Sequence, residues 1–148
     1  MTLLDAKQYD EAGAKRRRNL IAGTVVAVLL IGLLAWVFRY YPEERVVDHF
    51  FAALQKQDFE TAYGIYWHDP DWRQHPQNYK QYPFNEFYTD WGPGGEWGVI
   101  KQYKIYASGT PKGESSSGVI VEVEVNQRAE HARMWVQKSD KTISPSPY

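Results

Sequence analysis

The sequence predicts an α+β protein in which one N-terminal transmembrane helix precedes a soluble domain of helices packed on an antiparallel sheet. Three observations support this class. An uncharged apolar run near the N-terminus is long enough to span a membrane. Apolar residues then recur at helical spacing between Glu43 and Trp91. After Gly98 the pattern changes to the alternation that is typical of strands.

The predicted membrane segment runs from Leu20 to Phe38 without a charged residue. At about 1.5 Å per residue, a helix of this length crosses the roughly 30 Å hydrocarbon core of a bilayer. A cleavable signal peptide has a shorter apolar stretch that ends in small residues, whereas Trp36, Val37 and Phe38 close this one. We therefore divide the chain into an N-terminal stub (1–19), a membrane helix (20–38) and a soluble domain (39–148).

The distribution of basic residues predicts the orientation of this segment. A run of four basic residues precedes it, whereas Arg39 and Arg45 are the nearest ones behind it. The positive-inside rule then places the N-terminus in the cytoplasm and the soluble domain on the periplasmic or extracellular side of a bacterial-type inner membrane. A patch for nucleic acid or anionic lipid is the alternative interpretation of the run. Its residues are Lys15, Arg16, Arg17 and Arg18.

Composition excludes several classes of function. The formal net charge of −1 gives no electrostatic support to nucleic-acid binding. The absence of cysteine excludes disulfides, thiolate zinc sites and thiol nucleophiles. The charged fraction of 24% and the apolar fraction of 43% are those of a folded chain with a core. No cofactor is predicted.

Two amphipathic helices are predicted after the membrane segment. Pro42 suits the first turn of the earlier one, which covers EERVVDHFFAALQKQ from Glu43. Asp58 is a suitable N-cap for the later one, with Glu60 in its first turn. Their expected packing residues are Val46, Val47, Phe50, Phe51 and Leu54, and then Phe59, Ala62, Tyr63, Tyr66 and Trp67.

A loop, a third helix and a sheet complete the predicted domain. The loop covers His68 to Pro76, and the helix covers either Pro83 to Trp91 or Gln77 to Trp91 with a break at Pro83. VIKQYKIYA, VIVEVEV and ARMWVQK have the composition of strands, and a fourth strand is expected near Thr142 and Ile143. The segment TPKGESSSG connects the first two strands as a hairpin.

The segment VVDHFFAALQKQDFETAY resembles the opening helices of the nuclear transport factor 2-like superfamily, whose members fold helices into a curved antiparallel sheet to make a cone. The strands Val119 to Val125 and Ala132 to Lys138 resemble its closing sheet, so the resemblance covers about Glu43 to Ile143. A cytoplasmic stub, one span and an exported cone also resemble the layout of inner-membrane assembly subunits of bacterial secretion systems. The superfamily includes isomerases, dehydratases and binding modules, so the fold does not select a function. The residues that carry the resemblance are Val47, Phe50, Phe51, Leu54, Asp58, Ala62 and Tyr63.

Three groups of residues could carry chemistry. One group consists of His68, Asp69, Asp71 and His75, which are candidates for metal ligands and also suit a solvated loop. The glycine-rich WGPGGEWG lacks the Lys-Ser/Thr of a phosphate-binding loop, so we interpret it as a connector. The candidates for acid/base work in a cone are Asp90, Glu96, Glu122, Glu124 and His131, and no catalytic residue is assigned among them.

The aromatic residues are the candidate binding residues. The 6 Trp and 11 Tyr exceed what a core of this size must bury, so we expect some of them to line a cavity or a docking surface. Core packing is the alternative for most of them. The candidates are Tyr63, Tyr66, Trp67, Tyr88, Trp91, Trp97 and Trp135, with Tyr82 and Phe87 beside them.

The sequence therefore predicts a non-enzymatic binding or assembly module, anchored by one span, that docks other proteins of a membrane or envelope complex. The alternative is a domain that binds a small apolar ligand in the cone, with isomerase- or hydrolase-type activity. A carboxylate with a perturbed pKa in a cavity favours the alternative, whereas a filled cone with exposed aromatic residues favours docking.

Overall fold

The computed structural model describes residues 10–111 and 116–147. The chain divides into two compact units, Met1–Arg39 and Tyr40–Tyr148. The first nine residues of the predicted stub lie outside the described residues, as does the middle of the predicted hairpin connection, 112–115.

The described part of the first unit contains one helix, α1, which spans Glu11–Val37. It begins well before the predicted Leu20, because the Asp10 side chain caps it by accepting a hydrogen bond from the Gly13 N–H at 3.0 Å. None of the residues of α1 is buried. Its length and composition suffice for a membrane span, a test that signal sequences and core helices also pass, although a core helix would be buried.

Two helices in the second unit, α2 (Tyr41–Gln55) and α3 (Phe59–Tyr66), confirm the predicted amphipathic pair. Pro42 lies in the first turn of α2. Asp58 caps α3, since its side chain accepts a hydrogen bond from the Thr61 N–H at 3.1 Å. Their buried apolar residues are Val47, Phe50, Phe51, Ala53 and Leu54 in α2 and Ala62, Tyr63 and Tyr66 in α3.

Both helices end in the same way, with a left-handed residue after the cap. This residue is Gln57 (φ 58°) after α2 and His68 (φ 53°) after α3. At the end of α3 the His68 N–H donates to the Ile65 carbonyl at 3.0 Å, and the Asp69 N–H donates to the Gly64 carbonyl at 2.8 Å. These bonds satisfy carbonyls that a helix end leaves free, in an arrangement that usually has glycine at the left-handed position.

The segment after α3 contains two 3₁₀ turns, Trp72–Gln74 and Pro76–Tyr79, the first of them inside the predicted loop. The next helix, α4, spans Phe84–Trp91, which is the shorter of the two predicted alternatives. Pro83 precedes it in an extended conformation with ψ 164°, so the helix cannot continue backwards through that residue.

Four antiparallel strands form one sheet in the order β1-β2-β3-β4. Three predicted strands are confirmed, as is the fourth near Thr142 and Ile143. β1 begins later than predicted, because the N–H groups of Lys101 and Gln102 donate to the Asn126 side chain, at 2.8 and 3.3 Å, rather than to a strand. The strands are β1 Tyr103–Gly109, β2 Gly118–Val125, β3 His131–Gln137 and β4 Ile143–Pro145.

The core lies between α2 and one face of the sheet. Alternate positions of β2 are buried and half-buried, as its sequence predicts. The Phe50 ring meets those of Phe51, Phe87 and Trp91 edge-on, with centroids 5.4, 6.1 and 5.1 Å apart. The predicted α+β class is therefore confirmed. The fully buried β2 residues are Val119, Val121, Val123 and Val125.

A buried ion pair joins the first turn of α2 to the turn between β3 and β4. Glu43 is 5% exposed and is the buried charged residue of the described part of the chain. Its Oε1 accepts a hydrogen bond from Lys141 Nζ at 2.6 Å. The two residues are far apart in the sequence, and no local pattern predicts their contact.

Candidate functional site

A groove of about 700 Å³ lies beside the helical pair α2–α3. Val46 and His49 of α2 line it, Ile65 lines it from α3, and Trp72 and Arg73 line it from the segment after α3. Its volume falls within the roughly 300–1,000 Å³ of small-molecule sites. It lies outside the space between α2 and the sheet, where core side chains pack.

Gly64 allows the segment after α3 to pass close to that helix. A Cβ at this position would lie 3.1 Å from the Asp69 carbonyl oxygen and 3.4 Å from the Trp72 ring. Both distances are at or below those of ordinary van der Waals contacts, so a side chain at position 64 would push the segment after α3 away from the helix. The wall of the groove formed by Trp72 therefore depends on this glycine.

Two side chains of opposite charge line the groove and pair with each other. Arg73 forms an ion pair with Glu60, and both side chains are more than half exposed. The Trp72 Nε1–H donates to the Glu60 carbonyl at 3.3 Å, and the Arg73 guanidinium lies 5.7 Å from the Trp72 ring centroid. An exposed pair of this kind contributes little stability, so these groups remain able to exchange partners with a bound molecule.

His68 lines the groove from a left-handed backbone position. Hydrogen bonds from Thr142 are the main cause that lowers the pKa of Asp140, and His68 makes a smaller contribution. Glycine at this position would relieve backbone strain.

The Asp69 carboxylate gathers three groups in the segment after α3. Its Oδ2 accepts hydrogen bonds from the Tyr79 hydroxyl and from His75 Nε2, the latter at 2.6 Å, and its Oδ1 accepts from the Asp71 N–H at 3.0 Å. The bond from Tyr79 is the main cause that lowers the pKa of Asp69. Burial, and then the Asp69 carboxylate, raise the pKa of Tyr79 to about 12.

Of the four metal candidates, the structure therefore brings Asp69 and His75 together. Asp71 contributes its backbone N–H and not its carboxylate, and His68 lines the groove. In the ranges 10–111 and 116–147, no three His, Asp or Glu side chains are arranged to hold a metal ion.

The seven aromatic candidates are separated by burial. Tyr88 is 47% exposed, and its ring meets that of Phe59 edge-on at 5.0 Å. Trp67 and Trp135 are half-buried. The others pack in the core, where Tyr63 also donates from its hydroxyl to the Tyr82 carbonyl at 2.8 Å. The buried ones are Tyr63, Tyr66, Trp91 and Trp97.

Two of the acid/base candidates have strong partners. Asp90 Oδ2 accepts a hydrogen bond from the Tyr82 hydroxyl at 2.8 Å. Glu122 pairs with Arg133 at 3.1 Å and lies 3.8 Å from His131 Nδ1. These carboxylates face polar partners, and neither lines the groove.

The remaining acid/base candidates are Glu96 and Glu124. The Glu96 carbonyl accepts from the Arg128 guanidinium at 2.8 Å, and Glu124 lies opposite His131 in the strand register. In the glycine-rich segment, a Cβ at Gly95 would clash with the Asp90 carbonyl, so this glycine permits a tight turn. That turn supports the interpretation of the segment as a connector.

The four basic residues that predict the topology, Lys15 to Arg18, lie exposed in the early turns of α1.

The sequence did not indicate that His49, Glu60 and Arg73 belong to the site, because they lie on different elements and share no motif. His49 lies three residues after Val46, a spacing that places both on one face of a helix, and this is the feature of the sequence that could have indicated part of the groove.

No protein-family model, no curated protein and no solved structure matches this chain.

Proposed function

We propose that the chain is a single-pass membrane protein whose second unit is a non-enzymatic binding or assembly module. Its N-terminus lies in the cytoplasm, and the module lies on the periplasmic or extracellular side of a bacterial-type inner membrane. The module belongs to the nuclear transport factor 2-like type and docks other proteins of a membrane or envelope complex. The exposure of α1 is the observation that carries this proposal.

The physical argument starts from the apolar surface of α1. The large apolar side chains between Leu20 and Phe38 are between 51% and 67% exposed. Burying one such side chain is worth about 1.5–3 kcal/mol, so a helix of this kind is stable in lipid and not in water. The second unit needs none of these side chains, because its own core includes Phe50, Phe51 and the β2 valines.

The absence of cysteine permits a clean test of the membrane topology. We choose Ala12→Cys near the start of α1 and Ser139→Cys in the second unit, both at exposed positions. A membrane-impermeant maleimide added to intact spheroplasts should label the Ser139→Cys variant at once and the Ala12→Cys variant only after lysis. Extraction of the protein by alkaline carbonate, or the reverse labelling pattern, contradicts the proposal.

The groove and the exposed Tyr88 support docking. Val46, Ile65 and Trp72 provide an apolar floor, and Arg73 and Glu60 provide polar groups at its rim. This combination of an apolar centre and a polar rim is typical of protein interfaces.

The docking proposal is tested by a mild-detergent pull-down of the tagged full-length protein from its native membrane. Ile65→Glu should release partners that the wild type retains, because it places a charge in the groove. Tyr106→Ala, at an exposed position on the sheet, is the matched control and should retain them. Recovery of the wild-type protein alone would contradict a stable docking function.

A small apolar ligand is the second candidate, and the volume of the groove favours it. Core side chains fill the space between α2 and the sheet, so such a ligand fits the groove rather than the interior of the cone. Native mass spectrometry of the purified protein should show an added mass that Ile65→Glu removes. An unliganded spectrum together with stoichiometric partners would exclude this candidate in favour of docking.

A further inference from the structure

We propose that Asp69, His75 and Tyr79 form a binding site for one ferric ion, held by a carboxylate oxygen, an imidazole nitrogen and a phenolate oxygen. The three residues belong to the segment after α3, and none of them lines the groove. Binding of the ion therefore does not depend on the docking function. The proposal follows from where the donor atoms meet, from the charge around the carboxylate and from the histidine that joins this tyrosine–carboxylate pair.

The donor atoms meet at one carboxylate oxygen. The Tyr79 hydroxyl donates to Asp69 Oδ2, and His75 Nε2 lies 2.6 Å from the same oxygen. Metal ions hold nitrogen and oxygen ligands at about 2.0–2.2 Å, so neighbouring ligands of an octahedral ion are about 3 Å apart. Nε2 and Oδ2 therefore need to separate by only a few tenths of an ångström for an ion to replace the hydrogen-bonding proton.

Local contacts hold each ligand in place. The Asp69 N–H donates to the Gly64 carbonyl at 2.8 Å, and His75 lies between the two 3₁₀ turns. The Tyr79 ring packs against the Trp67 ring, with centroids 5.0 Å apart. Because the site needs little reorganisation of the chain, the entropic cost of binding an ion is small.

The charge of Asp69 favours a cation at this position. Its side chain is 17% exposed, and within residues 10–111 and 116–147 its ion-pair partner is His75, which is charged only when protonated. A partly buried carboxylate without a permanent positive partner retains an unfavourable desolvation energy that a cation can offset. Other paired carboxylates of this unit have a lysine or arginine beside them, namely Glu43 with Lys141, Glu60 with Arg73 and Glu122 with Arg133.

The histidine distinguishes Tyr79 from the other tyrosines that donate to carboxylates. In the described part of the chain, Tyr82 donates to Asp90 at 2.8 Å and Tyr103 donates to Asp48 at 2.9 Å. Neither of these two carboxylates forms an ion pair with a histidine among the described residues. Three protein ligands suffice for a metal site with open positions, whereas these two pairs supply only two.

The donor set indicates which ion binds. Imidazole nitrogen suits several transition metals, so the phenol of Tyr79 is the selective ligand. A tyrosine hydroxyl ordinarily keeps its proton until about pH 10, so only a strongly polarising cation replaces that proton near neutral pH. Fe³⁺ is such a cation, and its charge exceeds that of the phenolate and the carboxylate by one.

Binding exchanges protons for metal bonds. The O–H bond of Tyr79 breaks, an Fe–O bond forms and the phenol proton passes to water. His75 binds through Nε2 and carries its remaining proton on Nδ1. The iron enters and stays in the ferric state, so the step needs no oxidant or reductant. Water molecules complete the coordination of the ion.

The test adds ferric nitrilotriacetate, a chelate that keeps the ion soluble, to the full-length protein in detergent micelles near neutral pH. The wild type should bind one ion per chain and develop the visible absorption band of charge transfer from phenolate to Fe³⁺. Tyr79→Phe should lose this band while keeping the ring. Substitutions of residues that only orient a metal ligand weaken binding about 10–100-fold, so Asp69→Asn and His75→Gln should each weaken it roughly 100-fold or more.

Two matched controls locate the site. Tyr82→Phe and Tyr103→Phe each remove a phenol that donates to a carboxylate, and both should keep the wild-type band and affinity. A band that survives in Tyr79→Phe, loss of the band in either control, or a wild type that develops no saturable band would overturn the assignment. Displacement of the band by an equal concentration of Zn²⁺ would overturn the choice of a ferric ion. Near-ultraviolet circular dichroism of each variant shows that its fold is intact.

Discussion

Removing the charge of Lys141 should destabilise the second unit strongly, because it leaves the Glu43 carboxylate buried without its partner. The Glu43 side chain is 6% exposed, whereas that of Lys141 is 29% exposed. Loss of one partner from a fully buried pair costs about 3–5 kcal/mol. Since water reaches part of Lys141, we expect Lys141→Met to cost about 2–3 kcal/mol, which is less than for a fully buried pair.

The choice of methionine isolates the charge. Lys141 has φ 60°, and its backbone N–H donates to the Gln137 carbonyl at 2.9 Å. Methionine has a stem of similar length and a similar cost in the left-handed region, so the backbone term is unchanged. For a domain of this size, about 2–3 kcal/mol lowers the thermal midpoint by roughly 10 °C or more.

The assay is urea unfolding of the full-length protein in mild-detergent micelles, followed by near-ultraviolet circular dichroism of the tryptophans of the second unit. Glu43→Gln combined with Lys141→Met completes a double-mutant cycle. Because the double variant buries no unpaired charge, it should recover most of the loss. A Lys141→Met variant within about 0.5 kcal/mol of the wild type would refute the inference that this pair is buried and essential.

Three further predictions concern the helices, and each is measured by the same unfolding assay. Asp58→Ala should cost about 1 kcal/mol by removing the N-cap of α3. Hydrogen bonds from Thr61 lower the pKa of Asp58, so this cap stabilises the fold above the ordinary aspartate pKa and is lost as the pH falls through the lowered value. The difference between wild type and Asp58→Ala should therefore shrink in acid, and a constant difference would contradict the cap. His68→Gly should stabilise the protein by roughly 0.5–1 kcal/mol through relief of the left-handed strain while weakening binding in the groove, and a loss of stability would refute that account. Phe50→Ala should cost about 3–5 kcal/mol because this fully buried ring contacts four others, whereas Tyr88→Ala, at an exposed position, should cost far less.

The sequence predicts those parts of the fold that depend on local patterns. The caps at Pro42 and Asp58, the buried face of α2 and the alternation in β2 all follow from rules that act over a few residues. The boundary of β1 differs because its preceding residues bond to Asn126, a contact across the chain that no local pattern contains.

In the candidate site, too, local contacts can be explained from the sequence and contacts between distant residues cannot. The structure brings Asp69 near His75, since six residues of turns can return the chain on itself. The sequence does not predict the groove, because Arg73 and His49 come to line the same groove only after α2, α3 and the turns that follow α3 have packed. The buried charge at Glu43 has the same origin, because its helical position alone suits an exposed residue at a helix N-terminus.

Core packing accounts for much of the excess of aromatic residues, because many of the rings lie in the core or pack against it. Phe50, Phe87 and Trp91 fill the space against the sheet, as packing requires. Tyr63, which also lies in the core, and Trp67 continue this network of rings to Tyr79, and the Tyr63 ring contacts its neighbours edge-on. A packing role alone would tolerate phenylalanine at Tyr79, because the ring contacts would remain. The hydroxyl donates to Asp69, so Tyr79→Phe separates the contribution of the ring contacts from that of this hydrogen bond.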